Sequence, residues 1–173
     1  MLMTAANAVL LLVDLQQRLM PAIHDGDKVI ARAARLGEAA TLLGVPVLAT
    51  EQAPEKLGPT VEQLAGYPHL VMPKTRFGAD ESGLVPPGRS EIVMSGAEAH
   101  VCVLQTALHL AGDGHRVLIV ADAVGSRDPD DKAVALERAR AAGAEIVTSE
   151  MVLFEWLADA RHPRFREVHK LLK

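Results

Sequence analysis

"EIVMSGAEAHVCVLQTALHL", residues 91–110, joins a strand-length apolar run to an apolar-periodic helical segment through a glycine. We predict a strand over Glu91–Ser95, followed by Gly96 and by a helix over Ala99–Gly112. A continuous apolar run is typical of a strand buried on both faces, as in parallel sheets covered by helices on each side. The stretch therefore predicts one unit of an α/β fold, with Cys102, the single cysteine, at the start of the helix.

The same alternation of apolar runs and helical segments extends outward along the chain. The predicted strands are Ala8–Val13, Val45–Thr50, His69–Met72, Glu91–Ser95, Arg116–Ala121 and Glu145–Thr148. The predicted helices are Lys28–Leu43, Thr60–Gly66, Ala99–Gly112, Pro129–Ala142 and Glu150–Leu157. The longest irregular segments are Glu51–Pro59 and Thr75–Arg89, the second a loop expected beside a site. We expect a single α/β domain over residues 1–173, a three-layer α-β-α, Rossmann-like fold with a six-stranded parallel sheet.

Composition narrows the classes of function. Of the 173 residues, 49% are hydrophobic and 23% are charged, values typical of a globular protein. A net charge of −4 disfavours contacts with the phosphates of nucleic acids, and 3% aromatic residues leave few side chains for base stacking. The composition therefore disfavours nucleic-acid binding. One cysteine cannot form an internal disulfide, which favours a reducing compartment. Because the N-terminal apolar run stops at Asp14, well short of a membrane span, we expect a cytoplasmic protein without nucleic-acid or membrane partners.

Three chemically complementary side chains follow predicted strands. Asp14 follows the first strand, Lys74 follows the third, and Cys102 opens the helix after the fourth. In open parallel sheets, ligands bind beyond the carboxyl ends of the strands. Alone, each residue has an ordinary structural explanation as a cap, a solvated charge or a small buried hydrophobe. Together, a carboxylate could move the thiol proton, while the ammonium and the helix N-terminus should lower the thiol pKa, so we predict a catalytic site.

Six stretches, in order along nearly the whole chain, resemble the isochorismatase-like cysteine hydrolases, and most closely the isochorismatase-domain-containing group. They are LLLVDLQQRLMPAI, ATEQAPEKLGPTV, MPKTRFGA, MSGAEAHVCVLQTALHL, ADAVGSRDP and TSEMVLFEWL. The resemblance implies a six-stranded parallel sheet flanked by helices and a catalytic triad of Cys102, Asp14 and Lys74. It also implies a cis peptide between Ala97 and Glu98, with the N–H groups of Glu98 and Cys102 forming an oxyanion hole.

The region after the second predicted strand departs from the metal-binding relatives. Nicotinamidases carry an Asp-x-His pair and a further His there, whereas this chain has TEQAPEKLG. The seven histidines show no i, i+4 or H-x-H spacing. We therefore expect neither a metal nor another cofactor.

The resemblance also suggests a reaction. True isochorismatases hydrolyse a vinyl ether without a nucleophilic cysteine, so Cys102 favours covalent acyl chemistry on a C–N bond of a small amide-like substrate, which the sequence does not identify. The alternative is a non-catalytic scaffold or interaction protein that retains the fold. A nucleotide-binding Rossmann domain is disfavoured, because DLQQRL rather than G-x-G-x-x-G follows the first strand.

Other residues have two possible roles. His100 is a candidate base, or a first-turn residue that packs or caps. The candidate pocket residues, for which packing is the alternative, are Gln16, Leu19, Gln52 and Phe77. Asp128 is expected to cap the helix that begins at Pro129, and Arg127 to form a structural ion pair.

The segment MVLFEWLADA predicts self-association. Its large apolar residues, on more than one helix face, are Leu153, Phe154, Trp156 and Leu157. Contiguous exposed apolar patches mark contact surfaces, so we expect a homo-oligomer with a symmetric dimer as its smallest unit. The alternative is that Phe154 and Trp156 belong to the core.

Overall fold

Six parallel strands form one sheet in the computed structural model, which describes residues 1–79 and 85–173. They are β1 (Ala8–Val13), β2 (Val47–Gln52), β3 (Leu70–Lys74), β4 (Glu91–Ala97), β5 (Arg116–Gly125) and β6 (Glu145–Val147). The order across the sheet is β3-β2-β1-β4-β5-β6, with every neighbouring pair parallel. From β1 the chain adds β2 and β3 on one side of the sheet and then β4, β5 and β6 on the other. The boundary between β1 and β4 is therefore the topological switch point, where open α/β sheets form ligand crevices.

Helices cover both faces of the sheet. Within the described residues they are α1 (Gly26–Leu43), α2 (Pro54–Leu57), α3 (Leu104–Gly112), α4 (Pro129–Ala141), α5 (Ser149–Leu157) and α6 (Phe165–Lys170). One face packs against α1, α5 and α6, and the other against α3, α4 and a π-helical turn over Ala99–Val103. The expected three-layer α-β-α class with a six-stranded parallel sheet is confirmed.

Strand β1 explains why the apolar runs are continuous. Leu10 and Leu12 belong to the core on the α1 side of the sheet, whereas Val9, Leu11 and Val13 belong to the core on the α3 side. All these side chains are buried. Because successive side chains point to opposite faces and both faces are covered, no position in the strand needs a polar residue.

One predicted helix is wrong. Residues 60–66 form turns rather than a helix, and Thr60 makes an isolated antiparallel bridge with Gln16. The backbone N–H and the hydroxyl of Thr60 both donate to Glu51 Oε1, at 2.7 and 2.8 Å. These tertiary bonds compete with a segment that is too short to be stable as an isolated helix. The four-residue helix α2 lies instead within Glu51–Pro59, which was expected to be irregular.

Most remaining differences lie at element ends. Strand β2 begins after Pro46, while β4 and β5 continue beyond their predicted ends. Helix α6 was not predicted. The expected loop Thr75–Arg89 includes residues 80–84, which lie outside the described residues. Among the described helices, none combines the length and the apolar character needed to cross a membrane.

Gly96 permits a close contact between β4 and the end of β1. Its φ is 154°, and a Cβ at this position would collide with the Val13 carbonyl oxygen and lie 2.9 Å from Val13 Cα. Both obstacles are backbone atoms, which cannot move aside as a side chain would. The glycine thus lets β4 pass close to the residue immediately before Asp14.

Candidate active site

Asp14 is held at the carboxyl end of β1 by β2. Its side chain is fully buried, and its φ of 51° is unusual for a residue other than glycine. The Asp14 N–H donates to the Thr50 carbonyl oxygen at 3.1 Å, and the Thr50 hydroxyl donates to Asp14 Oδ1 at 2.7 Å. The second carboxylate oxygen thereby remains available to other partners.

Lys74 supplies one of those partners from the end of β3. Its Nζ donates to Asp14 Oδ2 at 2.7 Å and to Gln52 Oε1 at 2.8 Å. The carbonyl oxygens of Phe77 and Arg76 lie 2.8 and 3.2 Å from the same nitrogen. A buried ammonium surrounded by four acceptors is fixed in position and compensated in charge.

Cys102 lies in the π-helical turn and is buried beside this ion pair. Burial, followed by the charge of Asp14 and a hydrogen bond with it, raises the pKa of its thiol to about 12, against the opposing effect of Lys74. The expected lowering of this pKa was wrong, because burial and the adjacent carboxylate outweigh the ammonium. The structure brings the three residues together with a protonated thiol at neutral pH.

The turn before Cys102 has an irregular backbone. The peptide between Ala97 and Glu98 is cis, at the position that the family resemblance implied. The Glu98 carbonyl oxygen accepts from the N–H groups of Val101 and Val103, both at 3.1 Å. Across residues 1–79 and 85–173, no backbone acceptor lies opposite the Glu98 N–H. This donor is therefore available to a bound ligand.

The Glu98 side chain anchors the turn to the segment after β5. Its Oε2 accepts from Arg127 N–H at 3.0 Å and from Arg127 Nε at 2.9 Å. Burial acts to raise the pKa of the Glu98 carboxyl, but these hydrogen bonds and the guanidinium charge lower it below its usual range. Arg127 thus forms the kind of structural pair that we expected.

His100 has one partner on the segment between β5 and α4 and another in the first turn of α4. Its Nδ1 lies 3.0 Å from Ser126 Oγ, and its Nε2 lies 3.6 Å from Asp131 Oδ2. These contacts match a packing role better than that of a base for Cys102. Asp128 caps α4, as predicted, because its Oδ1 accepts from Asp130 N–H at 2.8 Å.

The four candidate pocket residues differ in burial and in their partners. Gln16 is fully buried, with Oε1 accepting from Gln52 N–H at 2.8 Å and Nε2 donating to the Gly58 carbonyl oxygen at 2.7 Å. Gln52 contacts Lys74 directly. Leu19 packs against the core on the α1 side of the sheet, and Phe77 is 55% exposed. Among these four side chains, all of which the structure describes, only that of Gln52 forms a hydrogen bond with the Asp14–Lys74 pair.

A cavity of about 560 Å³ adjoins the ion pair. Lys74 and Thr50 contribute to its wall, together with Met72 and two charged residues, Glu55 and Arg76. Sequence reasoning missed Glu55 and Arg76 because both lie in segments expected to be irregular, where no periodicity indicates which side chains face a ligand. In the described part of the chain, no group of three or more His, Cys, Asp or Glu side chains could hold a metal ion.

Comparisons with known proteins identify the family of this chain. A sequence model of the Isochorismatase domain matches residues 8–151. Isochorismatase domain-containing protein 1 of Danio rerio is 42% identical over 178 residues, which cover 99% of this chain and 62% of that protein. The chain thus spans less than two thirds of that relative's length.

Two solved structures share the fold. The MAR1 ribonuclease from Caenorhabditis elegans is 34% identical with a TM-score of 0.92, and the match covers 99% of this chain and 92% of that one. The YcaC gene product from Escherichia coli, described as an octameric hydrolase of unknown specificity, is 26% identical with a TM-score of 0.84. That match covers 98% of this chain and 95% of that one.

Proposed function

This chain belongs to the isochorismatase family of hydrolases, and on that basis we propose that it is a metal-free cysteine hydrolase. The proposed reaction cleaves a C–N bond of a small amide-like substrate through a thioester intermediate. The observation that carries the proposal is the buried constellation in which the Cys102 thiol interacts with both Asp14 and Lys74, themselves 2.7 Å apart.

Acylation begins with a protonated thiol. Because the pKa of Cys102 is about 12, a free thiolate would be scarce at neutral pH. The Cys102 proton therefore moves to Asp14 as Sγ bonds to the substrate carbonyl carbon, and the carbonyl electron pair moves onto oxygen. Collapse of this intermediate breaks the C–N bond while Asp14 returns the proton to the leaving nitrogen.

Deacylation uses the same groups in reverse order. Asp14 takes a proton from water as the water oxygen attacks the thioester carbon, and the proton then returns to Sγ. The products are a carboxylic acid and an amine, and the enzyme regains its thiol. Lys74 keeps a positive charge near the reacting atoms while negative charge moves from the carboxylate to the substrate oxygen.

The proposed oxyanion hole consists of the N–H groups of Glu98 and Cys102. The lack of a backbone acceptor for the Glu98 N–H within the described residues supports this role. The Arg127 hydrogen bonds hold the turn without involving that donor. A preorganised donor stabilises the tetrahedral intermediate more than the planar ground state.

The cavity supports a small-molecule substrate. Its volume of about 560 Å³ lies within the range of ordinary ligand sites. The wall combines apolar Met72 with the charged Glu55 and Arg76, so it can accept a compact substrate with both apolar and polar parts. Because the chain carries a net charge of −4, we propose no nucleic-acid partner, although one structural relative is a ribonuclease.

The experiment that tests the function is a substrate screen with intact-mass detection. Purified protein is mixed with small amides, carbamates and ureides, and a short oligoribonucleotide serves as the ribonuclease arm. We expect amine release from at least one carbonyl substrate, together with a transient acyl mass on Cys102 in rapidly quenched samples.

Two variants separate the competing explanations. Cys102→Ala should remain folded, since the lost sulfur leaves only a small cavity, but it should lose both turnover and the acyl mass. Asp14→Asn should also lose turnover while it retains the thiol. Turnover near the wild-type rate in Cys102→Ala, or cleavage of the oligoribonucleotide alone, would contradict the proposal, and no turnover of any substrate would favour the non-catalytic scaffold.

We further propose that residues 1–173 form one domain and that the protein is a cytoplasmic homo-oligomer. The octameric state described for the Escherichia coli relative supports self-association. The exposed side chains of Met151 and Phe154 on α5 offer an apolar contact surface. The single cysteine is consistent with a reducing compartment.

A further inference from the structure

A second cavity, of about 440 Å³, lies between the N-terminal part of α1 and the start of α4. Its wall also includes Asp122 and Ser126 from the end of β5 and the residue that follows it. It shares no lining residue with the cavity beside Lys74 in the described part of the chain. The proposed hydrolase reaction does not use this cavity.

Cations outnumber carboxylates in the wall of this second cavity. The cationic side chains are Lys28, Arg32, Arg35 and Lys132, whereas the carboxylates are Asp25 and Asp122. Both carboxylates already have partners. Asp25 Oδ2 lies 2.9 Å from Lys28 Nζ, and Asp122 Oδ2 lies 3.5 Å from Arg32 Nε.

Asp122 is further committed to α5, since it accepts hydrogen bonds from Ser149 N–H at 2.7 Å and from Ser149 Oγ at 2.6 Å. Arg35 and Lys132 consequently line the cavity without an ion pair to any described residue. Two cationic groups therefore face the same space without a carboxylate of their own.

The electrostatics of these two cations agree with this geometry. Burial lowers the pKa of Lys132, although Asp122 and Asp25 act to raise it. Burial also lowers the pKa of Arg35, and the neighbouring charge of Arg32 lowers it further, against the attraction of Asp122 and Glu150. Positive charge is thus partly removed from water without full compensation, a cost that a bound anion would offset.

The helix ends add to this field. The start of α1 lies at the cavity, where it contributes His24, Asp25 and Lys28 to the wall. The start of α4 also lies there and contributes Pro129 and Lys132. Helix N-termini carry partial positive charge. The wall therefore combines two unpaired cations with two helix ends of the same sign.

We propose that this cavity binds a small dianion of the phosphate-monoester type. The volume suits a compact ligand, and the two unpaired cations match the charge of one dianionic group. A polyanion such as RNA fits less well, because a chain with a net charge of −4 repels its remaining phosphates. Ser126 joins the site to the turn of Cys102 through its hydrogen bond with His100.

The test is a titration of the ¹⁵N-labelled full chain with inorganic phosphate at pH 8, with sodium chloride adjusted to keep the ionic strength constant. We expect saturable amide shift changes centred on residues 24–35 and 122–132. Arg35→Met should weaken phosphate binding about tenfold, the effect of one charge-assisted hydrogen bond. Lys132→Met should weaken it similarly.

Arg138→Met is the matched control, because Arg138 is an exposed arginine on α4 outside the cavity, and it should bind phosphate like the wild type. Shifts that do not saturate, shifts centred on residues 72–79, or equal affinity in Arg35→Met and Arg138→Met would overturn the proposal. The outcome does not depend on turnover, so it stands or fails independently of the proposed hydrolase activity.

Discussion

The Cys102 thiol lies beside two side chains of opposite charge, which act on its pKa in opposite directions. Asp14 raises the pKa and Lys74 lowers it, while burial provides the largest increase. The neutral thiol next to a carboxylate is therefore the resting state. In the proposed mechanism the nucleophile forms only when Asp14 accepts the proton, which links nucleophile formation to substrate attack.

Alkylation by iodoacetamide across a pH series should report this arrangement. At pH 7.5 we expect Cys102 to react at least ~100-fold more slowly than an unperturbed cysteine, because the thiolate is the reactive form. Asp14→Asn should lower the thiol pKa and speed alkylation, whereas Lys74→Met should raise the pKa and slow it. A wild-type midpoint below ~8.5 would show that the thiol is activated in the free protein.

The Asp14–Lys74 ion pair should contribute to stability as a unit. Removing one partner leaves a buried charge without compensation, so Asp14→Asn or Lys74→Met alone should lower the free energy of unfolding by ~3–5 kcal/mol. The double variant should lose less than the sum of the two single losses. Urea unfolding of all four proteins measures the cycle, and strictly additive losses would contradict direct coupling.

At the scale of elements, the passage of β4 beside β1 determines where the Cys102 turn begins. The pairing of β4 with β1 runs to Gly96 opposite Val13, the residue before Asp14. Strand β4 and the π-helical turn are separated only by Glu98. A small displacement of β4 would therefore move the turn relative to the carboxylate.

Gly96→Ala tests this contact. The added methyl group would meet the Val13 backbone, so we expect the free energy of unfolding to fall by more than ~3 kcal/mol, or the folded protein to be lost. Gly66→Ala is the matched control, because a Cβ at Gly66 would have no heavy atom within 4 Å. Thermal unfolding compares the variants, and similar midpoints for both would refute the steric argument.

At the scale of the whole molecule, α5 divides its apolar residues between the core and the surface. Leu153, Trp156 and Leu157 are buried within this chain. For Trp156 this confirms the alternative prediction that it belongs to the core. Phe154 and Met151 remain 42% and 46% exposed. The surface available for self-association on α5 is therefore narrower than its sequence suggested.

Replacing Phe154 by Lys should weaken the proposed oligomer. We expect light scattering to give the wild type at least twice the mass of one chain, and Phe154→Lys a smaller assembly, because a charge replaces apolar contact area. Val134→Lys is a suitable control, since Val134 is an exposed apolar residue on α4. A wild type that scatters as a monomer at micromolar concentration would contradict self-association.

The sequence by itself determined the fold class, because burial on both faces leaves a local mark in each strand. Ala8–Val13 is apolar at every position, and the structure gives it the predicted bounds. It also indicated that Asp14, Lys74 and Cys102 follow strands that end at one edge of the sheet. Such local patterns can be recognised in the sequence alone, since the side-chain period of a strand depends on neighbouring residues only.

Only the tertiary structure decided the protonation of Cys102, the walls of the cavity beside Lys74 and the incomplete charge compensation of Arg35. The donors and acceptors around Asp14 come from positions far along the chain, such as Lys74, 60 residues away. A pKa depends on burial and on distances of a few ångströms between such groups. Local periodicity does not encode those distances. The sequence therefore indicated the correct neighbours of Cys102, but the predicted direction of its pKa shift was wrong.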